Sequence, residues 1–240
     1  MVSTSSRDSL PPVCILAGGI GARLGDLVAE TPKPLLEVAG KPFLLHQLRL
    51  LAANGAHSVV LCTGYLGEQV EERIGNERFG IRITYSHDGP ELAGTLGAIR
   101  RALRLLPERF LVLYGDTYLQ LDYRGAADAW DASGLAGLMT VFRNDGRWDT
   151  SNVVYRDGRV VAYDKGARTP EMHWIDYGLG GLDVSALELV DPLESDLSKL
   201  QRRLAATGEL CGYEATERFY EIGTAAGLTE TDKFLRGARV

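Results

Sequence analysis

Two cations stand just beyond a cluster of glycines near the start of the chain. In CILAGGIGARLGDLVAETPKP, residues 14–34, an apolar run gives way to Gly18, Gly19 and Gly21, and Arg23 and Lys33 follow. Glycines this dense lose too much backbone entropy to sit inside a helix or strand, so they mark backbone that bends sharply or meets a ligand closely. The two cations suggest that the ligand is anionic. A P-loop would need Lys followed by Ser or Thr directly after its second glycine, and no such pair is there. The dinucleotide fingerprint fits Gly19 and Gly21, but Leu24 holds its third glycine position, and no acidic residue closes the following run, SVVLCTGY. An ordinary tight turn with solvated charges is the competing reading. Farther on, FLVLYGDTYL runs apolar into Gly115-Asp116, and RFYEIGT ends an aromatic run at Glu221. Two such carboxylates suit Mg²⁺, which takes a few carboxylates together with phosphate oxygens and water. Taken singly, Asp116 also reads as a turn cap and Glu221 as an edge-strand residue.

The elements that must position these residues alternate through the first half. Short β-branched runs (VCIL, SVVLCTGY, IRITYS, FLVLYGD) are separated by helical patterns. FLLHQLRLLAANG stops at Asn54-Gly55, GEQVEERIG follows, and TLGAIRRALRLLP has Thr95 as its N-cap and Pro107 just beyond. Strands apolar on both faces and alternating with helices predict a parallel sheet covered on both sides, with the strand-to-helix loops at one edge. The second half is β-rich. SNVVYRDGRVVAYDKG reads as a hairpin on Asp157-Gly158 and MHWIDYGLGGLDV as a strand. LSKLQRRLAATG reads as a helix, CGYEATERFYEIGT as one or two strands, and LTETDKFLRG as a last helix. Residues 1–12 read as a loose tail and 13–240 as one domain, with a 146–240 half forming a lid on a 13–145 half.

Composition narrows the classes. The 240 residues are 45% hydrophobic and 24% charged, enough for one sizeable α/β core. With 26 basic against 32 acidic residues the net charge is −6, which argues against a broad nucleic-acid or anionic-membrane surface. Cys14, Cys62 and Cys211 are far apart in sequence and read as buried free thiols in a reducing cytoplasm, with no disulfide framework or metal spacing. No run approaches membrane-spanning length, and the polar start lacks the apolar centre of a secretion signal. Homo-oligomerisation stays open.

The ordered motifs resemble those of the sugar-phosphate nucleotidyltransferases, which join a nucleoside triphosphate to a sugar 1-phosphate and release pyrophosphate. Gly18 to Leu24 is similar to the family's Gly-Gly-x-Gly-x-Arg-Leu loop, closed here by Pro32, Lys33 and Pro34. YGDTY resembles its metal-binding strand end, YDKG around Lys165 its sugar-phosphate lysine motif, and YEIGT its second metal motif. The similarity runs from residue 13 to about residue 237. The length resembles that of the short members, which lack a C-terminal β-helix and act on mannose-like, heptose or muramic sugar phosphates.

The resemblance implies the nucleotide-diphospho-sugar transferase fold, a Rossmann-like α/β arrangement with a mostly parallel central sheet, helices on both faces and a β-rich sugar-binding lid. It implies a nucleoside triphosphate and a sugar 1-phosphate as partners and Mg²⁺ on Asp116 and Glu221. Backbone N–H groups of Gly18, Gly19 and Gly21 would cradle phosphate oxygens. Arg23 would hold the β- and γ-phosphates with its planar fork, and Lys33 would reach the α-phosphate. Leu16, Ala17, Asp88, Gly94 and Thr95 would surround the nucleoside, Gly94 letting backbone approach it. Lys165 would bind the sugar's phosphate, with Asn152, Asp176 and Tyr177 as candidates for its hydroxyls. The expected pair is GTP with D-glycero-D-manno-heptose 1-phosphate or mannose 1-phosphate. The alternative is UTP, CTP or dTTP with muramic or glucose sugars.

Three positions and one stretch depart from the family pattern. Ala22 replaces a hydroxyl residue, Glu221 stands where Asp is usual, Gly166 replaces a proline, and GPELAGTLGA differs from the commoner PLGTAGA. Ala22 and Glu221 favour a catalytically silent sugar-nucleotide sensor, which the retained Arg23, Lys33 and Asp116 oppose. A glycosyltransferase would carry Asp-x-Asp after a strand, where GDTY has Tyr118 in the second acidic place. His46, His57, His87 and His173 read as packing or surface residues. A phosphate monoester is already anionic near neutral pH, so the chemistry needs no general base.

Overall fold

Alternate side chains of β1 (Val13–Leu16) part to opposite faces: Val13 and Ile15 enter one apolar core, Cys14 the other. The computed structural model describes residues 9–89 and 91–237. After β1 come a small hairpin of β2 (Glu37–Val38) and β3 (Lys41–Pro42), then α1 (Phe43–Ala53), β4 (Ser58–Thr63) and α2 (Gly67–Ile74). There follow β5 (Glu77–Arg78), β6 (Ile81–His87), α3 (Gly94–Ala102), β7 (Arg109–Tyr114) and β8 (Thr117–Tyr118). The second half supplies α4 (Tyr123–Ser133), β9 (Gly137–Arg143), β10 (Val153–Arg156), β11 (Arg159–Tyr163) and β12 (Trp174–Asp183). It closes with α5 (Leu197–Thr207), β13 (Leu210–Ala215), β14 (Tyr220–Glu221) and α6 (Ala225–Gly237).

Ten strands form one sheet in the order β10-β11-β13-β9-β12-β7-β1-β4-β6-β5. The same two-residue period repeats across its middle. Val59, Leu61, Leu111 and Leu113 share a core with α1, α2 and α4, whereas Val60, Cys62, Phe110 and Val112 share one with α3 and α5. Each fully buried Leu or Val contributes about 1.5–3 kcal/mol, which is why strands with both faces apolar must be covered on both.

The parallel pairing expected for the first half holds in β7-β1-β4-β6. The second half joins the same sheet instead of lying over it as a lid. There β12 is inserted antiparallel between β7 and β9, and β13 runs parallel to β9. The Asp157-Gly158 turn has both residues left-handed, φ 49° and 75°, as a two-residue hairpin turn with the correct twist requires.

Two local expectations change. Of the tail expected over residues 1–12, Leu10 is buried in the core and its N–H donates to the Gly55 carbonyl at 3.1 Å; residues 1–8 lie outside the described residues. Thr95 is not the cap of α3, whose N-cap is Ala93. Its Oγ1 accepts from the Leu197 N–H at 2.8 Å, while the Leu96 N–H donates to the Ser195 carbonyl at 2.8 Å. The starts of α3 and α5 therefore satisfy each other's orphan groups. Among the described residues no helix is long and apolar enough to cross a membrane.

Candidate active site

Main-chain pairing brings the two carboxylates together. Beyond β7 the chain turns through Gly115-Asp116 into β8, and β14 pairs with β8 so that Glu221 faces Thr117. The Ile222 N–H donates to the Asp116 carbonyl at 2.9 Å, and Thr231 of α6 donates to the Glu221 carbonyl at 2.8 Å. A methyl on Gly223 would lie 2.8 Å from Glu221 Oε2, 3.1 Å from Arg23 Nη2 and 3.4 Å from Asp116 Oδ2. Three charged groups thus face one small volume, which a glycine leaves open. Lys33 Nζ donates to Asp116 Oδ2 at 2.8 Å from a short turn between Pro32 and Pro34. Those prolines fix φ and stiffen the arm that carries the lysine.

Asp116 is held from behind. The Gln47 amide, buried on α1, donates to the Tyr114 carbonyl at 3.0 Å and the Thr117 carbonyl at 2.7 Å, one on each side of the turn. Glu221 accepts from the Gly223 N–H through Oε2 and from the Thr224 hydroxyl at 2.6 Å through Oε1. Among the described residues no three His, Cys, Asp or Glu side chains gather as a metal site. Two hard carboxylates, one in the turn before β8 and one on β14 beside it, still fit Mg²⁺, which fills its remaining positions with water and phosphate oxygens.

Asp116 lines two cavities. The first, about 220 Å³, opens at the ends of β1, β4 and β7. Leu16, Ala17, Gly18, Gly19, Lys33, Asp88, Gly94 and Thr95 line it, with Cys62, Leu92 and Tyr114. A Cβ on Gly18 would crowd the Gly64 nitrogen at 3.1 Å and Asp88 Oδ2 at 3.2 Å, whereas Gly19 faces open space. Burial pushes the Asp88 carboxyl up, against the Ala93 N–H and Arg101. Gly21, at φ 72°, instead starts the turn Ala22–Val28. Gly94 does border the cavity, yet the space its missing side chain leaves faces the Ser195 carbonyl, 2.7 Å from a Cβ there. Contact with the Ser195 carbonyl and a left-handed φ of 74° each call for glycine there, whatever approaches from the cavity.

The second cavity, about 430 Å³, is bounded by Arg23, Asp116, Asp176, Tyr177 and Glu221. Arg23 therefore faces this side of Asp116, not the glycine side. Burial pushes the Asp176 carboxyl up, with Lys165, the Gly178 N–H and the Tyr163 hydroxyl acting against it. Lys165 lies in a neighbouring groove with Lys199 and Arg202, its Nζ 5.6 Å from the centre of the Tyr114 ring.

Two of the candidate hydroxyl contacts are structural. Asn152 is buried, its Oδ1 accepting from the Asp176 N–H at 3.1 Å and its carbonyl from the Asp164 N–H at 3.0 Å. It braces β12, which carries Asp176, and the bend after β11 that carries Lys165. The Tyr177 ring packs against Phe142 and Phe219, and its hydroxyl donates to the Gln120 carbonyl at 3.3 Å.

The sequence reading missed Tyr114, which lines both cavities, and Trp148, Asp149 and Thr224 in the second. Trp148 carried one signal, a large aromatic alone in the polar run RNDGRWDTSN. None of the four histidines lines either cavity. His46 bonds the Val38 carbonyl at 2.8 Å, and His87 lies between Thr63 and Glu71.

Residues 13–152 match the family model described as Nucleotidyl transferase. The chain is 36% identical over 152 residues to D-glycero-alpha-D-manno-heptose 1-phosphate guanylyltransferase of Aneurinibacillus thermoaerophilus, covering 62% of this chain and 65% of that one. It is 29% identical to mannose-1-phosphate guanylyltransferase catalytic subunit beta of Drosophila pseudoobscura pseudoobscura, covering 87% of this chain and 58% of the relative. The chain thus spans less than two thirds of the length of these two. It is 32% identical to N-acetylmuramate alpha-1-phosphate uridylyltransferase of Neisseria meningitidis serogroup B, covering 90% of this chain and 94% of that one. Its fold matches the crystal structure of HddC from Yersinia pseudotuberculosis complexed with GMP-PN, with TM-score 0.78 and 23% identity over 94% of this chain and 100% of that one.

Proposed function

The chain belongs to the nucleotidyl transferase family, and from that premise we propose that it transfers a nucleoside monophosphate from a nucleoside triphosphate to a sugar 1-phosphate, releasing pyrophosphate. The observation that carries this is Asp116 on the boundary of two cavities, with Lys33 in the first and Arg23 and Glu221 in the second. A nucleotide in the first and a sugar phosphate in the second would meet at that boundary. We further propose that the pair is GTP with D-glycero-D-manno-heptose 1-phosphate or mannose 1-phosphate, that the enzyme depends on Mg²⁺, and that it works in the cytoplasm. The two guanylyltransferase relatives support the substrate choice.

Each residue has a task in this reading. The glycine loop offers backbone N–H groups to the triphosphate. Lys33, resting on Asp116, reaches a phosphate at the boundary, where charge builds as the α-phosphate is attacked. Arg23 presents its fork to phosphate oxygens from the second cavity. Lys165 approaches past Tyr114 to neutralise the sugar's phosphate. Asp116 and Glu221 would hold Mg²⁺, which when bound neutralises phosphate charge. With a second phosphate pKa near about 6, the attacking oxygen is already anionic, and alignment of the two anions does the rest.

A second reading, UTP with N-acetylmuramate 1-phosphate, is favoured by the match that covers most of both chains. A grid of nucleoside triphosphates against sugar 1-phosphates, read as pyrophosphate release, tests both. GTP with a manno-configured sugar should turn over fastest. Preference for UTP with the muramic sugar would select the second reading, and no release with any pair would leave a silent sensor.

A further inference from the structure

We propose that Trp148 is the platform on which the sugar ring stacks, presenting an aromatic face to the apolar C–H groups of a pyranose 1-phosphate. This rests on assigning the second cavity to the sugar. Trp148 borders that cavity and is 48% exposed. A single exposed aromatic means little by itself, but this one is fixed from two sides. The Arg218 guanidinium covers one face of the ring, 3.8 Å from its centre. Arg218 is itself locked by a two-pronged pair with Glu230, at 2.8 and 2.9 Å, and lies 4.6 Å from the centre of the Tyr220 ring.

The backbone is clamped as well. Asn144, fully buried, accepts the Trp148 N–H at 3.1 Å and donates to the Asp149 carbonyl at 2.6 Å. Ordering a polar loop and a large side chain this way costs conformational entropy that an unused surface would not recover. A ring backed by a cation on one face and bordering a cavity that Asp149 and Asp176 also line suits a carbohydrate. Such a ligand has an apolar ring face and hydroxyls that donate. The segment holding Arg218 and Tyr220 runs directly into Glu221, so the platform is tied to the carboxylate pair.

The test pairs kinetics with fluorescence. Trp148→Ala should raise KM for the sugar 1-phosphate about tenfold, with kcat and nucleoside triphosphate affinity near wild type. Trp148→Phe, which keeps a ring, should recover most of that loss. Mannose 1-phosphate titrated into the protein should change an emission component that Trp148→Phe removes. An unchanged KM in Trp148→Ala, equal defects in both variants, or an equal loss of nucleotide affinity would overturn the platform. A sugar-dependent emission change in a protein that releases no pyrophosphate would keep the platform and reject the transferase reading.

Discussion

Lys33 and Asp116 hold each other at 2.8 Å at the place where the two cavities meet. Asp116→Asn keeps the shape and removes the charge that orients the lysine and serves the proposed cation. Turnover should fall roughly 100-fold, with an unchanged circular dichroism spectrum; near-normal rates at saturating Mg²⁺ would remove Asp116 from the site. Asp116 and Glu221 were legible because each ends an apolar run, which places it at a sheet edge. Asn152 and Tyr177 were not, because a hydrogen bond to Asp176 or Gln120 joins residues far apart in the chain and leaves no spacing to read. Trp148 was passed over for a related reason. Asn144 is a local partner, but Arg218, which covers the ring, comes to it only once β14 has been placed.

The glycines of β12 carry the insertion of that strand into the sheet. A Cβ on Gly181 would lie 2.6 Å from the Trp130 ring, which is itself buried in the core against α4. Gly181→Ala should therefore cost about 1–3 kcal/mol, read as a lower urea midpoint with an unchanged slope. Thr95→Val removes the acceptor for the Leu197 N–H and should cost about 1 kcal/mol in the same assay. Helices and first-half strands were readable because their periods of 3.6 and 2 are local. The position of β12 between β7 and β9 was not, since strand order depends on which apolar faces meet across long stretches of chain. The motif order of the second half carried no sign that it continues the central sheet.

Across the whole molecule, one buried carboxyl and one partly buried carboxyl make stability depend on pH. Burial raises Asp88 and Asp176 above their ordinary values, so the folded chain holds more protons than the unfolded one in the interval above the normal carboxyl range. Their contribution to stability is complete below that range and is lost as pH rises through the raised values. Asp176→Asn should unfold at higher urea than wild type at neutral pH, with the gap closing in acid; a lower midpoint at neutral pH would contradict the sign. If the second cavity takes the sugar phosphate as proposed, that stability would come at the expense of its binding, the usual trade between stability and a charge kept for function. The division of labour between the first cavity, lined by Lys33, and the sugar side, which Lys165 would serve from its neighbouring groove, is tested most directly by nucleotide affinity, measured by calorimetric titration of Lys33→Met and Lys165→Met. Lys165→Met should bind nucleoside triphosphate within about twofold of wild type while its KM for sugar phosphate rises about tenfold. A loss of nucleotide affinity in Lys165→Met equal to that in Lys33→Met would contradict the account.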